Sequence, residues 1–231
     1  MTGTGREIAK IFVVCGKDLA IEWRNLDNVP AMFFFALLVL VIFSFGFDFT
    51  TASFTELGPG VLWVAFTFAG VLTFGHSFAI EREGDCLQGL RLTPVDPGTI
   101  YLGKLLANCL AMLVVEAALL PLSAILFNYD VFSMIGPLAA VILIHTFGFA
   151  AVGTLFGAMA ARTRRGDVLL PILLFSVSVP LMISAVRVTG AVLEGRSILE
   201  GEPRTWLVMA SVFDAVLGTA AYLTFEYVIE E

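Results

Sequence analysis

The residues in this chain that could do chemistry are few, and most sit inside apolar runs. His76 and His145 lie on different hydrophobic segments, with no carboxylate at metal-site spacing. Either imidazole could ligate an iron centre, although a lone intramembrane His more often hydrogen-bonds a neighbouring helix. Cys15, Cys86 and Cys109 show neither CxxC nor zinc spacing, so a disulfide framework is not expected. The stretch "GDCLQGLR" at Gly84–Arg91 has the GxxxxG spacing of a phosphate loop. It lacks the following Lys-Ser/Thr, without which phosphate and magnesium have nothing to hold them, so the chain does not hydrolyse ATP by this route. HExxH and GxSxG motifs are both missing. No catalytic, cofactor-binding or metal-ligating constellation emerges.

Acids within apolar runs are the next candidates. Glu116 sits near the middle of the third run, where a charge costs roughly 2.5–3.5 kcal/mol on insertion scales. The neutral acid is expected there unless a partner is present. Lys104, Asn108 and Glu116 follow i, i+4 and i+12 and share one broad polar stripe. Pro121 frees the carbonyl of Ala117 and is expected to kink the helix. In the last run Asp214 shares a face with Ser211 and Gly218. Two readings stay open for these acids: they line a substrate path or gate, or they hydrogen-bond across helices to hold a bundle. Gly153 and Gly157 form a GxxxG that permits close helix approach, while Pro171 and Pro180 make the fifth run a candidate bent element.

The elements that position these residues follow from composition. Of 231 residues 58% are hydrophobic and only 14% charged, against roughly a quarter charged in soluble domains. With a mean hydropathy of +0.93 the chain reads as an all-α integral membrane protein. A net charge of -7 argues against nucleic acid as a partner. Six segments reach the length of about twenty residues that a span requires: Pro30–Phe47, Val61–Ile80, Tyr101–Phe127, Met134–Ala161, Val168–Val186 and Trp206–Ile229. Ten of the thirteen Lys and Arg residues then fall on one side, which places both termini in the cytoplasm. Trp63 and Trp206 suit interface anchors at the opposite ends of their helices. The N-terminus does not read as a cleavable signal, because Ile11–Cys15 is too short an apolar stretch. Instead Ile8, Ile11, Phe12, Cys15, Leu19, Trp23 and Leu26 recur at helical spacing, as in an amphipathic helix on the membrane surface. The expected organisation is a cytoplasmic tail with that interfacial helix over residues 1–29 and a six-helix permease domain over 30–231. No internal repeat is evident.

Between the second and third spans the chain turns polar for about twenty residues. Glu81, Arg82 and Glu83 leave the membrane, Gly84 turns the chain, and Leu87, Leu90 and Leu92 suit a short amphipathic helix. Pro94 and Pro97 then restart the climb. Such a helix offers an apolar knob to a partner's groove. The stretch "EREGDCLQGLRLTPVDPGTIYLGKLLAN" resembles the segment after the second span of type-2 ABC transporter permeases. There it implies a coupling helix, with Glu81, Arg82, Glu83, Gly84, Leu87, Leu90 and Pro94 contacting a separate ATPase. "KDLAIEWRN", "LWVAFTFAGVLTFGHSFAIERE", "LLANCLAMLVVEAALLPLSAILFN" and "FEYVIEE" together resemble the haem exporter protein B family of cytochrome c maturation.

That resemblance implies a permease of the bacterial inner membrane, itself no enzyme, surrounded by lipid and working as a homodimer. Its partners would be two copies of an ABC ATPase carrying ATP-Mg, a haem-handling membrane subunit and a haem chaperone. The complex would export haem or release the loaded chaperone. Whether haem passes through this subunit is left open by the residues. Likeness to the type-2 permeases also implies short re-entrant helices between Arg187 and Thr205. There Arg196 and Arg204 could meet propionates or acids of a chaperone, or lie in a solvated loop. A general type-2 exporter for a lipid, drug or glycan is the alternative, and an ATP-independent carrier or scaffold is a third. The third predicts that no ATPase co-purifies.

Overall fold

A computed structural model of the chain describes residues 3–24, 28–47, 51–83, 95–163 and 166–230. They form seven α-helices and one 3-10 turn, with no strand among the described residues. The helices are α1 (Gly3–Arg24), α2 (Asn28–Gly46), α3 (Thr51–Glu83), α4 (Pro97–Phe127), α5 (Ile135–Ala161), α6 (Gly166–Leu193) and α7 (Gly201–Glu230). The last six are each long and apolar enough to cross a bilayer, so the expected all-α, six-span architecture is present.

Local sequence sets the helix ends. At the start of α4 the Asp96 carboxylate accepts the Gly98 N–H at 3.0 Å, and Pro97 fills the first helical position, where no N–H is needed. Asn128, left-handed at φ 52°, closes the same helix by donating its N–H to Ala124 O. α6 stops in a Schellman arrangement: Gly195 adopts φ 73° and donates to Val192 O, while Arg196 N–H reaches Ala191 O, both at 2.9 Å.

Several bounds differ from the hydropathy reading. α3 begins at Thr51 and not at Val61, because Gly58-Pro59-Gly60 lies within the helix instead of breaking it. The Phe54 ring covers Gly58, where a Cβ would stand 2.2 Å from Phe54 Cε2. α6 runs past Val186 to Leu193, since Arg187 is exposed on the helix and its long stem can carry the charge toward water. Only residues 194–200 separate α6 from α7. The re-entrant helices expected between Arg187 and Thr205 therefore do not form; that stretch completes α6 and opens α7.

Within lipid, burying apolar surface gains little, and close packing carries helix association. α5 shows this most plainly, with Gly148, Phe149, Ala150, Ala151, Val152, Gly153 and Thr154 all buried. The GxxxG of α5 receives two rings from α3. Phe74 presses on Gly153 and Phe78 on Gly157, so an i, i+4 pair of rings meets an i, i+4 pair of glycines. The α3 and α5 spans are 67% buried, against 22% for α2 and α7. α2 turns Phe34, Leu38, Ile42 and Phe45 outward, as a lipid-facing helix does.

Helix α1 is not free on a surface. Val14 and Cys15 are buried, and its inner side lies along the first turns of α4, while Ile8, Phe12 and Val13 face outward.

Candidate functional site

The opening of α4, immediately after residues 84–94, is gripped by four other helices. Gly98 lies under Tyr222 of α7, where a Cβ would come 2.5 Å from the ring. Thr99 Oγ1 donates to Glu7 Oε2 of α1 at 3.1 Å. The Lys10 ammonium and then this hydroxyl hold the Glu7 carboxyl below its ordinary pKa. Tyr101 is fully enclosed: its hydroxyl donates to Ala151 O of α5 at 3.0 Å, and its ring lies 5.2 Å from that of Phe225 on α7. Gly103 admits α1, since a Cβ there would stand 2.6 Å from Val14 Cβ. Lys104, 1% exposed, reaches Asp18 of α1 at 3.1 Å and sits 4.7 Å from the centre of the Phe78 ring of α3.

Both ends of the described chain come to this face. Glu7 stands beside Thr99, and Arg162, past the end of α5, donates to Ile229 O near the end of α7. A cation on those last carbonyls satisfies acceptors that the helix itself leaves open.

A second group forms a polar layer inside the bundle. Asn108 Nδ2 donates to Thr154 Oγ1 at 3.0 Å, and Thr146 Oγ1 donates to both Glu116 oxygens at 3.0 and 2.9 Å. Asn108 precedes Glu116 by as many residues as Thr154 follows Thr146, so the two pairs are successive rungs between antiparallel helices. Of the three residues expected to share a stripe on α4, Asn108 and Glu116 are directed at α5, whereas Lys104 meets α1 and α3. Next to Thr146, His145 faces the other way: Nδ1 meets Val141 O at 2.8 Å and Nε2 meets Ser184 Oγ of α6 at 2.9 Å. Ser184 in turn donates to Trp206 O of α7 at 2.9 Å. Trp63 of α3, whose ring centroid is 5.4 Å from that of His145, donates Nε1–H to Thr189 Oγ1 at 2.9 Å.

Asp214 belongs to the same level. An added Cβ on Gly148 would lie 1.7 Å from Asp214 Oδ1, so the carboxyl of α7 rests directly on α5. That oxygen is buried with no hydrogen-bond partner among the described residues. Positions 146 and 148 are about 200° apart around a helix, which puts Glu116 and Asp214 on nearly opposite sides of α5. Pro121 lies within an unbroken α4 and borders an apolar groove of about 420 Å³ shared with Val131, Phe132 and Ala139.

Of the expected coupling residues, Glu81, Arg82 and Glu83 form the last backbone positions of α3. Gly84, Leu87, Leu90 and Pro94 lie outside the described residues. Sequence reasoning passed over the acceptors and donors that complete the layer, Thr146, Thr154 and Ser184, and the residues around the root of α4, Gly98, Tyr101 and Asp18. The clue for the root was available in "DPGTIYLGK", where an N-cap, a proline, two glycines and a lysine crowd into two turns.

The CcmB protein family model matches residues 9–227, nearly the whole chain. The chain belongs to the CcmB protein family. Among relatives, it is 28% identical to the Heme exporter protein B of Bradyrhizobium diazoefficiens over 193 residues, covering 84% of this chain and 85% of the relative. Identity to the Heme exporter protein B of Paracoccus denitrificans is 27%, with 89% and 92% covered. For the protein of that name from Haemophilus influenzae it is 26%, with 76% and 79% covered. The CcmB match spans α1 through most of α7, so the gripped root of α4 and the polar layer both fall within family sequence.

Proposed function

We propose that this chain is the membrane permease subunit of an ABC complex for cytochrome c maturation, seated in a bacterial inner membrane with both termini in the cytoplasm. Residues 1–29 serve as tail and interfacial helix, and residues 30–231 as the permease proper. The chain works as a homodimer beside two copies of an ATPase that bind ATP-Mg, and is not itself an enzyme. A haem-handling membrane subunit and a haem chaperone complete the assembly, whose work exports haem or releases the loaded chaperone.

One observation carries the energy-coupled reading: the first two turns of α4 touch α1, α3, α5 and α7 through Gly98, Thr99, Tyr101, Gly103 and Lys104. A push on residues 84–94 arrives where it is shared among four helices at once. Close-packed interfaces transmit such displacements because they do not deform continuously. In this reading Glu116, Asn108 and Asp214 hold the bundle, and Pro121 shapes its far half.

Leu87→Asp and Leu90→Asp test the assignment of the segment as the ATPase contact. Each variant should insert normally into membranes yet fail to recover the ATPase in a pull-down. Recovery at the wild-type level would refute the coupling-helix reading.

A further inference from the structure

We infer that Lys104 is a positioning residue that clamps α1 to the two helices flanking residues 84–94, so that all three move as one body. The inference rests on the energy-coupled reading above and adds α1 as a moving part. Lys104 is on the second turn of α4, which follows the segment, and its ammonium sits over Phe78, one turn and a half before α3 enters it. The third contact is Asp18 at 3.1 Å, on α1. One buried cation thus meets both walls of the segment and a helix far away in sequence. An ammonium buried to 1% exposure is costly unless paired, and the Asp18 carboxylate that meets it also holds the Lys17 ammonium of α1 at 2.9 Å, so one shared carboxylate ties α4 to α1. The neighbouring glycine reinforces the joint: Val14 Cβ would stand 2.6 Å, and Ile11 O 3.0 Å, from a Cβ on Gly103. Glu7 and Thr99 fasten the helix nearer its start, leaving Asp18 and Lys104 to fasten the part that leads on to α2.

Cys15, 3% exposed and one turn before Asp18, reports directly on whether α1 is docked. The experiment uses the full complex in detergent, in a Cys86→Ser, Cys109→Ser background, with three readouts. They are recovery of the ATPase, maleimide labelling of Cys15, and c-type cytochrome assembly in cells. Lys104→Met should keep the ATPase at wild-type stoichiometry, speed Cys15 labelling by about tenfold or more, and lower assembly by about tenfold or more. Lys104→Arg, which keeps a cation for both Asp18 and the Phe78 ring, should retain both protection and assembly. Unchanged labelling in Lys104→Met overturns the clamp, as does labelling that rises while assembly stays at the wild-type level. Loss of the ATPase in the same variant overturns it too, by making the pair part of docking. Should the wild-type chain recover no ATPase at all, the energy-coupled reading fails, and Cys15 labelling still decides whether Lys104 holds α1.

Discussion

Replacing Glu116 separates what its shape and hydrogen bonds contribute from what its acidity contributes. Thr146 donates to both carboxylate oxygens, and the acid is 1% exposed. Glu116→Gln keeps an oxygen in place for that hydroxyl and nearly the same volume. Glu116→Ala removes the acceptor and leaves space behind. An interhelical hydrogen bond in a membrane bundle contributes about 0.6–2 kcal/mol. The space vacated, roughly 50 Å³, adds about 1 kcal/mol at the rate found for buried truncations. The alanine variant should therefore lose roughly 2–3 kcal/mol and the glutamine variant under about 1. For a chain of this size that corresponds to a melting shift of about 5–10 °C for alanine. Heating the detergent-purified protein and measuring the monodisperse fraction by size exclusion gives the shift. Cytochrome c assembly in cells should follow the same order, with alanine impaired and glutamine near wild type. A glutamine variant as unstable as alanine would refute the hydrogen-bond account. A stable glutamine variant that cannot support assembly would assign the acid a role in transport beyond holding α4 to α5.

Gly148→Ala should destabilise by about 1–3 kcal/mol, because its Cβ meets Asp214 Oδ1, and adding Asp214→Ala should recover most of that loss. Simple addition of the two losses in thermal melts would show that the residues do not compete for one space. Burial first, and the Asp18 charge second, push the Cys15 thiol above its ordinary pKa, so less thiolate exists at any given pH. Its maleimide labelling should stay slow at pH 8.5 and keep climbing above pH 9, and a rate matching a free thiol at pH 8.5 would contradict that burial.

Six spans were legible because hydropathy alone dictates them, and the failures have local causes. Gly58-Pro59-Gly60 looks like a breaker, yet Phe54 folds back over Gly58 and the helix carries through. Arg187 looks like the end of a span, but an arginine can lie along a helix and still reach water. The polar stripe of α4 was visible from its own spacing. Its partners were not, since nothing within Asn108 or Glu116 says that Thr154 and Thr146 stand opposite. The pairing of Lys104 with Asp18 was equally hidden, because the two are distant in sequence and each has a nearer charge to suggest itself. Gly98, Gly103 and Gly148 carry no signal in isolation; only the ring, helix or carboxyl pressed on each explains it.

The two rungs between α4 and α5 act like dowels driven through a pair of boards. A single dowel lets the boards swivel and, with little resistance, slip by one notch. Two, set about 12 Å apart along the grain, forbid both, since any slip must shear Asn108 from Thr154 and Glu116 from Thr146 together. These helices therefore travel as a single plank, and whatever opening the molecule undergoes must happen along its other seams.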